Sequence, residues 1–581
     1  MSYIFDIETN GLLPELTKIH CLCMKDTTTN KVYSYTTKEQ IRLGLSVLNS
    51  GEDIIGHNII SFDIPAIQKI YPDWKPEGKV VDTLVLSRLI EADLVNDDFD
   101  KNRKIPKKLY GSHSLKAWGL RLGNNKGDYD GGWEEFSQEM LEYCEQDLEV
   151  THSLLKKLSP EKYSQDAIDL EHKVSELCDR IGKAGWDFDV EKASLFYGKL
   201  AKERNELEQQ LQTLFEPWEI QETFIPKVNN KTRGYVKDVP FIKKKTVEFN
   251  PNSRKHIQFC LEKKYSWKPK KFTPSGDAQI DESVLITLPY PEAKKLARMF
   301  LLQKRIGMLA EGRFAWLKLV TNKNKLHHSL ISNGTVTGRS AHRSPNLGQV
   351  PAVRAEYGKE CRELFTVPKG YQLVGADLSG LELRCLAHFL DDGGAYKNEI
   401  LNGDIHTKNQ KDAGLPTRDQ AKTFIYALIY GGGVLKLGSI VNGGAKEGKL
   451  LQKKFYQANP SLKTLKDKVE DASQRGYIFG LDKRKLKIRS IHKGLNTLLQ
   501  SAGALICKQW ILNIDQAIRE EKLDAYIIAW VHDEVQIAVK GDADYVGDIT
   551  RKMARKTGEE YKIEIPIEAE YKVGSNWANT H

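Results

Sequence analysis

Val374-Gly-Ala-Asp-Leu-Ser-Gly-Leu-Glu-Leu-Arg384 opens as a short apolar run, breaks at Ser379-Gly380, and resumes with Leu383, Leu386 and Phe389 on one helical face. The acid at the break, Asp377, is predicted to sit where a strand turns into a helix, its carboxylate facing a cleft. On its own it reads as readily as a capping residue, because Asp favours helix starts. A second stretch, Ala529-Trp-Val-His-Asp-Glu-Val-Gln-Ile-Ala-Val539, shifts the balance. Val535, Ile537 and Val539 alternate with period two, which predicts a β-hairpin carrying His532, Asp533 and Glu534 at its tip. Carboxylates from two strands suit Mg²⁺, which prefers hard oxygen ligands and leaves room for substrate phosphates.

The 581 residues suffice for roughly four average domains. A formal charge of +9 fits a protein that holds a polyanion, although a merely basic protein carries it equally well. Eight cysteines are scattered, with only Cys21 and Cys23 close together. Reduced thiols and a cytosolic setting are predicted, without a zinc ribbon or disulfide framework. No apolar run approaches the ~20 residues of a membrane span, so no membrane partner is expected. Met1-Ser-Tyr-Ile-Phe-Asp6 enters a strand directly, so no signal or transit peptide is expected.

Residues 1–155 alternate strand and helix patterns and predict an α/β domain. In the strand Ser2 to Thr9, period two puts Asp6 and Glu8 on one face, where they repel each other unless a cation lies between them. Asp63 and Asp147 are candidates to complete the cluster. Tyr143 lies four residues before Asp147 and shares its helical face. Helical residues from about 156 lead onward. Helices are predicted for Glu191 to Phe215 and for Pro291 to Val320, with irregular sequence between them. The piece 216–248 carries Lys227, Lys231, Arg233, Lys237, Lys243, Lys244 and Lys245, a pattern of phosphate footprints or of a solvated face. Arg418, Lys422, Tyr426 and Tyr430 recur every four residues on one predicted helix that stops at Gly431-Gly432-Gly433. Cations followed by rings on one face suit an incoming nucleotide.

The two acid-bearing stretches resemble motifs A and C of the family A DNA polymerases. With Gly403-Asp-Ile-His-Thr-Lys-Asn409, Arg418-Asp-Gln-Ala-Lys-Thr-Phe-Ile-Tyr426 and Leu495-Asn-Thr-Leu-Leu-Gln-Ser-Ala-Gly-Ala504, the chain is most similar to the replicative enzymes of T-seven-like short-tailed bacteriophages. The resemblance runs along nearly the whole chain. It implies an α/β plus α+β multidomain fold: an N-terminal ribonuclease H-like DEDD 3′→5′ exonuclease, then a right-hand polymerase of palm, thumb and fingers. The implied limits are 1–155 for the exonuclease and 156–581 for the polymerase, with the thumb at 190–325, the fingers at 390–485, and the palm from the remainder. The family's separate 5′-nuclease domain is not expected, because the strand that carries Asp6 begins near residue 3.

The resemblance also implies roles. Asp377, Asp533 and the Leu378 carbonyl would hold two Mg²⁺ ions, with Mn²⁺ able to substitute and Glu534 in support. Asp6, Glu8, Asp63 and Asp147 would hold two more, with Tyr143 orienting the attacking water. Arg418, Lys422 and His406 would meet the triphosphate, and Tyr426 the sugar and base. Glu382 would block a 2′-hydroxyl. Arg339, His492, Asn496, Gln500, His532 and, at the thumb tip, Arg254 would contact DNA. The stretch His492 to Ala504 would form a helix of the template side, on which Asn496 and Gln500 suit minor-groove acceptors, which are alike for all base pairs. The stretches 82–88 and 111–115 would be scaffold and strand-grip positions.

Expected partners are primer-template DNA, deoxynucleoside triphosphates, a phage helicase-primase and a single-strand-binding protein, met by a monomer in the host bacterial cytoplasm. Thioredoxin is not expected, because the thumb piece 216–248 is short. The alternatives are a single-subunit RNA polymerase, against which Glu382 and the nuclease speak, and a non-catalytic DNA-binding replication factor, against which the six acids speak.

Overall fold

The structure is a computed structural model describing residues 2–100, 105–124, 129–273 and 275–581. The chain forms two compact units. The first comprises Met1–Asp187, His327–Val353 and Phe365–His581; the second comprises Phe188–Leu326 and Arg354–Leu364.

In the first unit, Ser2–Thr9 is the central strand of a five-stranded sheet. It pairs antiparallel with Ile19–Asp26 and parallel with Asp53–Gly56. Val32–Tyr35 and Val80–Asp82 are the outer strands. Ile4, Phe5 and Ile7 are buried, so the strand is anchored on both faces and its acids are held in fixed positions. The helix Gln138–Leu158 lies against this sheet. Ser137 caps it by accepting from the Met140 N–H, and Met140, Cys144, Asp147, Thr151 and Leu154 form its buried stripe.

The C-terminal part of the same unit is built on a four-stranded antiparallel sheet. Its strand Gln372–Leu378 lies between Glu534–Val539 and Ala569–Gly574, with Ala525–Val531 beyond. Val374, Ala376 and Leu378 are buried in the main core with Trp510 and Ile514 of the helix Gly494–Glu520. Gly375 is required by a close approach: a Cβ there would meet Gln536 Nε2 at 2.5 Å and Thr580 at 2.6 Å. Asp82 N donates to His172 Nε2 at 2.9 Å, and Asn333 Nδ2 donates to the Arg88 carbonyl at 2.7 Å. Residues 1–155 are therefore hydrogen-bonded to later parts of the same unit.

Three expectations are corrected, two of helices and one of an irregular stretch. The helix predicted from His492 to Ala504 runs Gly494–Glu520, and His492 lies in a 3-10 turn before it. Gly503 did not end it, because an interior glycine costs only about 1 kcal/mol and the surrounding core outweighs that. The helix predicted over Pro291–Val320 stops at Ile306, passes through a wider π turn at Gly307–Glu311, and re-forms briefly at Trp316–Leu319. Gly312 N donates to Gly307 O at 2.9 Å, the i to i+5 bond that closes the turn. The irregular piece between the second unit's helices contains an antiparallel hairpin, Trp218–Phe224 with Phe241–Val247.

Candidate active sites

The sheet brings the two sequence stretches together. Asp377 lies opposite Glu534 in the strand register, and the Leu378 N–H donates to the Asp533 carbonyl at 3.1 Å. His532 makes the turn between the hairpin strands with φ of 60°, which leaves Asp533 projecting beside Asp377. The protein packed around the Asp377 carboxyl, then Asp533, Glu534 and Glu382, push its pKa up to about 8. Asp533 is also raised, by burial first and then by Glu382. Such a crowd of acids favours a bound cation. Arg339, Glu382, His532, Asp533 and Trp530 line a cavity of about 260 Å³.

Glu534 is turned away from this cavity. Its Oε1 accepts from Gln536 Nε2 at 2.6 Å and Trp577 Nε1 at 2.5 Å, and its Oε2 pairs with His581 Nδ1 at 2.9 Å. Its role in the structure is to hold the hairpin tip. Nothing in the sequence pattern pointed to Trp577 or His581, which reach Glu534 from more than forty residues away.

The predicted nucleotide helix exists as Arg418–Ile429, with Tyr430 as its C-terminal cap. Thr417 and Gln420 form a capping box at its start, and Phe424 anchors it on Phe455 with ring centroids 5.3 Å apart. Arg418 and Lys422 are exposed, and the Tyr426 ring lies 6.0 Å from Tyr430 and 6.5 Å from His406. Burial, with Arg418 and Lys422 nearby, lowers the His406 pKa and favours a neutral ring. Sequence reading missed the partner of Arg418: its guanidinium grips Asp404 through two bonds of 2.7 and 3.1 Å. Asp404 also caps the helix Ile405–Ala413. Glu382 accepts from Tyr430 Oη at 2.8 Å and approaches Arg339 at 3.5 Å.

The remaining predicted DNA-binding residues are more dispersed. Asn496 and Gln500 are half-buried on the helix Gly494–Glu520, and His492 is exposed beside Glu470 at 3.2 Å. Arg254 belongs to the second unit, where it starts the helix Arg254–Tyr265 and donates to the Ile280 carbonyl.

At the N-terminal sheet, Asp6 and Glu8 converge with Cys144 so that one ligand atom of each lies within 4.8 Å of the others. Asp63 accepts from the Ile7 N–H at 3.3 Å. Burial, opposed by that bond and reinforced by Asp82 and Asp147, pushes the Asp63 pKa up to about 7. Asp147 is buried on the helix face that carries Tyr143. His57, Arg88, His113, Asn333, Arg343 and Arg489 help line a cleft of about 760 Å³ between this domain and the segment leading to Arg339. Asn333 ties the two sides by donating to the Arg88 carbonyl at 2.7 Å.

A ribonuclease H-like sheet with an acid cluster, joined to an antiparallel sheet with an acid-tipped hairpin and a cationic helix, defines the class: a nucleic-acid polymerase with a nuclease-type N-terminal domain. A family model described as DNA polymerase family A matches residues 224–579, and one described as RNase H superfamily matches residues 3–159. The chain belongs to the family A DNA polymerases. The DNA-directed DNA polymerases of Enterobacteria phage T3 and Escherichia phage T7 are each 36% identical to it, over 100% of both chains. A solved structure described as the POL domain of Pol1 from M. smegmatis in complex with DNA primer-template and dNTP shares the fold, with a TM-score of 0.75. That likeness covers 99% of this chain and 96% of that one at 19% identity.

Proposed function

We infer that this chain is a template-directed DNA polymerase that proofreads with its own 3′→5′ exonuclease. The observation carrying the reading is the pairing of Asp377 with the acid-tipped hairpin. We assign residues 1–155 to the exonuclease and 156–581 to the polymerase, with 190–325 as thumb and 390–485 as fingers. No helix among the described residues is long and apolar enough to cross a membrane.

Both acid clusters offer hard oxygen donors, the set that Mg²⁺ prefers and Mn²⁺ also accepts. Asp377, Asp533 and the Leu378 carbonyl would hold the ions at the polymerase site; Asp6, Glu8, Asp63 and Asp147 would hold them at the exonuclease site. Ions held by these residues would supply Lewis acidity toward the attacking oxygen and positive charge beside the leaving group. The chain's residues do the rest. Arg418 and Lys422 bind the triphosphate, Arg418 exchanging Asp404 for a phosphate. Neutral His406 donates a hydrogen bond to the triphosphate. Tyr426 stacks on the nucleotide, and Glu382, locked by Tyr430, closes the space a 2′-hydroxyl would need. At the exonuclease, Tyr143 orients the attacking water, and the cleft lined by Arg88 and His113 grips the single strand.

The enzyme would act as a monomer in the host bacterial cytoplasm beside a helicase-primase and a single-strand-binding protein. The thumb hairpin would hold DNA directly, without thioredoxin.

Primer extension on primed single-stranded DNA, with and without nucleotides, tests the reading. Asp377→Ala or Asp533→Ala should abolish extension and leave primer shortening intact. Asp6→Ala with Glu8→Ala should do the reverse. Loss of both activities in a folded single-site variant sinks the two-site assignment.

A further inference from the structure

Three of the eight cysteines meet in one place. Cys21 and Cys23 stand on one face of the Ile19–Asp26 strand, and Cys144 reaches that face from the helix Gln138–Leu158. The three Sγ atoms lie within 4.8 Å of one another, the side chains are fully enclosed, and no disulfide joins them. Their surroundings are Ile4, Ile55 and Leu148.

A buried cysteine ordinarily acts as a small apolar filler. Two observations set this cluster apart. The strand register places Cys23 opposite Asp6 and Cys21 opposite Glu8. Cys144 Sγ lies 3.5 Å from Asp6 Oδ2, and it also completes the group formed by Asp6 and Glu8. A soft-ligand cluster and a hard-ligand cluster therefore share one wall.

We propose that Cys21, Cys23 and Cys144 form a binding site for one thiophilic cation of the Zn²⁺ or Cd²⁺ class, and that its occupation silences the adjacent exonuclease while leaving DNA synthesis intact. The second half rests on the exonuclease reading above; the first half does not.

The geometry suits such an ion. A metal–sulfur bond of about 2.3 Å in tetrahedral array separates the sulfurs by about 3.8 Å, so the trio contracts by about 1 Å at most. Thiolates select soft ions and carboxylates select Mg²⁺, so the two sites take different metals. Binding converts three thiols and one divalent ion into a tris-thiolate of net charge −1 and releases three protons to solvent. That charge then faces Asp6 and Glu8 from an enclosed position. Cys144 is drawn toward the ion, and the Asp6 carboxylate is repelled from the position the exonuclease requires.

The full-length protein, reduced and freed of metal, is titrated with Cd²⁺ alone. The thiolate-to-cadmium ultraviolet charge-transfer band is followed along with proton release. Exonuclease and polymerase activities are read, with Mg²⁺ supplied, at the same Cd²⁺ additions. The expected result is a band that saturates at one equivalent with three protons released. Exonuclease should fall by at least roughly tenfold, while synthesis is unchanged. Cys21→Ala with Cys23→Ala should keep both activities and lose both the band and the inhibition. Asp6→Ala with Glu8→Ala should keep the band, so the thiol site is read whether or not the exonuclease reading stands.

Equal inhibition of the wild type and the double cysteine variant would place Cd²⁺ on the carboxylates and overturn the proposal. So would the lack of a one-equivalent band, or a band with undiminished exonuclease. If the double variant fails to fold, judged by melting and by synthesis, the single variants Cys21→Ala and Cys23→Ala carry the same comparison.

Discussion

Asp377 is held with its pKa near 8 by the protein around it and by Asp533, Glu534 and Glu382. The sign of the consequence follows from linkage. A carboxyl at 3.8 when unfolded and about 8 when folded binds its proton more tightly in the fold. Metal-free stability contributed by this group is therefore present below pH 4 and is lost progressively up to about pH 8. Mg²⁺ held at Asp377 as proposed would compete with that proton, so the Mg²⁺ requirement for synthesis should fall by up to about tenfold per pH unit as pH rises toward 8, then level off. Metal-free melting curves and Mg²⁺ titrations at several pH values check this. Asp377→Asn should flatten the slope of the melting series, and an unchanged slope would contradict the assignment. Tyr426 makes a second prediction at this scale. On the proposed placement of Tyr426 against the incoming nucleotide, its hydroxyl would stand in for a missing 3′-hydroxyl. Tyr426→Phe should raise discrimination against dideoxynucleotides by roughly tenfold or more, the worth of a lost hydrogen bond, with little change for normal nucleotides. Direct competition between the two nucleotide types measures it.

The hairpin Trp218–Phe224 with Phe241–Val247, proposed above to be part of the thumb, is the element whose chemistry changed most between sequence and structure. Its second strand carries Lys243, Lys244 and Lys245 in succession. Lys243 Nζ rests 3.8 Å from the centre of the Phe224 ring and 5.2 Å from that of Tyr235. Lys244 lies 3.8 Å from Glu219. Lys243, seated on rings along an exposed ribbon, suits a phosphate backbone, because the rings hold its charge in place without neutralising it, whereas Lys244 must leave Glu219 to do the same. Replacing the three lysines by Gln should shorten the product made per binding event on trapped template. The slope of log affinity against log salt should flatten by up to about 0.9 for each phosphate that is no longer neutralised. Adding thioredoxin should change neither result. A large gain in product length with thioredoxin, together with no effect of the substitutions, would overturn direct holding by the hairpin. Melting is read alongside, since Lys243 also packs the hairpin.

Across the whole molecule, the ties between elements distant in sequence differ greatly in weight. Glu171 is fully buried between Lys508 and Arg484, and Arg484 also grips Asp482. Burial alone would raise the Glu171 carboxyl; the two cations beside it overcome that and hold it low. Glu171→Ala leaves two buried cations short of a partner and should cost about 3–5 kcal/mol in denaturant unfolding. Lys79 and Asp169, 42% and 41% exposed, pair at 2.8 Å between the N-terminal domain and the helix Gln165–Ala184 that follows it. A pair exposed on both sides is worth under about 1 kcal/mol, so Lys79→Ala should leave the midpoint nearly unchanged. Equal losses in the two variants would contradict the ranking by burial.

Local pattern was enough to read the acid-bearing elements. The strand Ser2–Thr9, the hairpin with its tip at 532–533, and the helix from Arg418 to its glycine stop are set by alternation, capping and glycine, all expressed within about ten residues. The same locality placed Asp6, Glu8, Asp377, Asp533, Arg418 and Tyr426. What only the tertiary structure decided depends on partners far apart in sequence. Glu534 became a brace because Trp577 and His581 fold back onto it. Arg418 is held by Asp404 of the preceding helix cap, and Glu382 by Tyr430, 48 residues on. Cys144 meets Cys21 and Cys23 only when the helix Gln138–Leu158 lies on the sheet. No stretch of about ten residues contains both members of such pairs, since their meeting is fixed by the packing of whole elements rather than by local propensity.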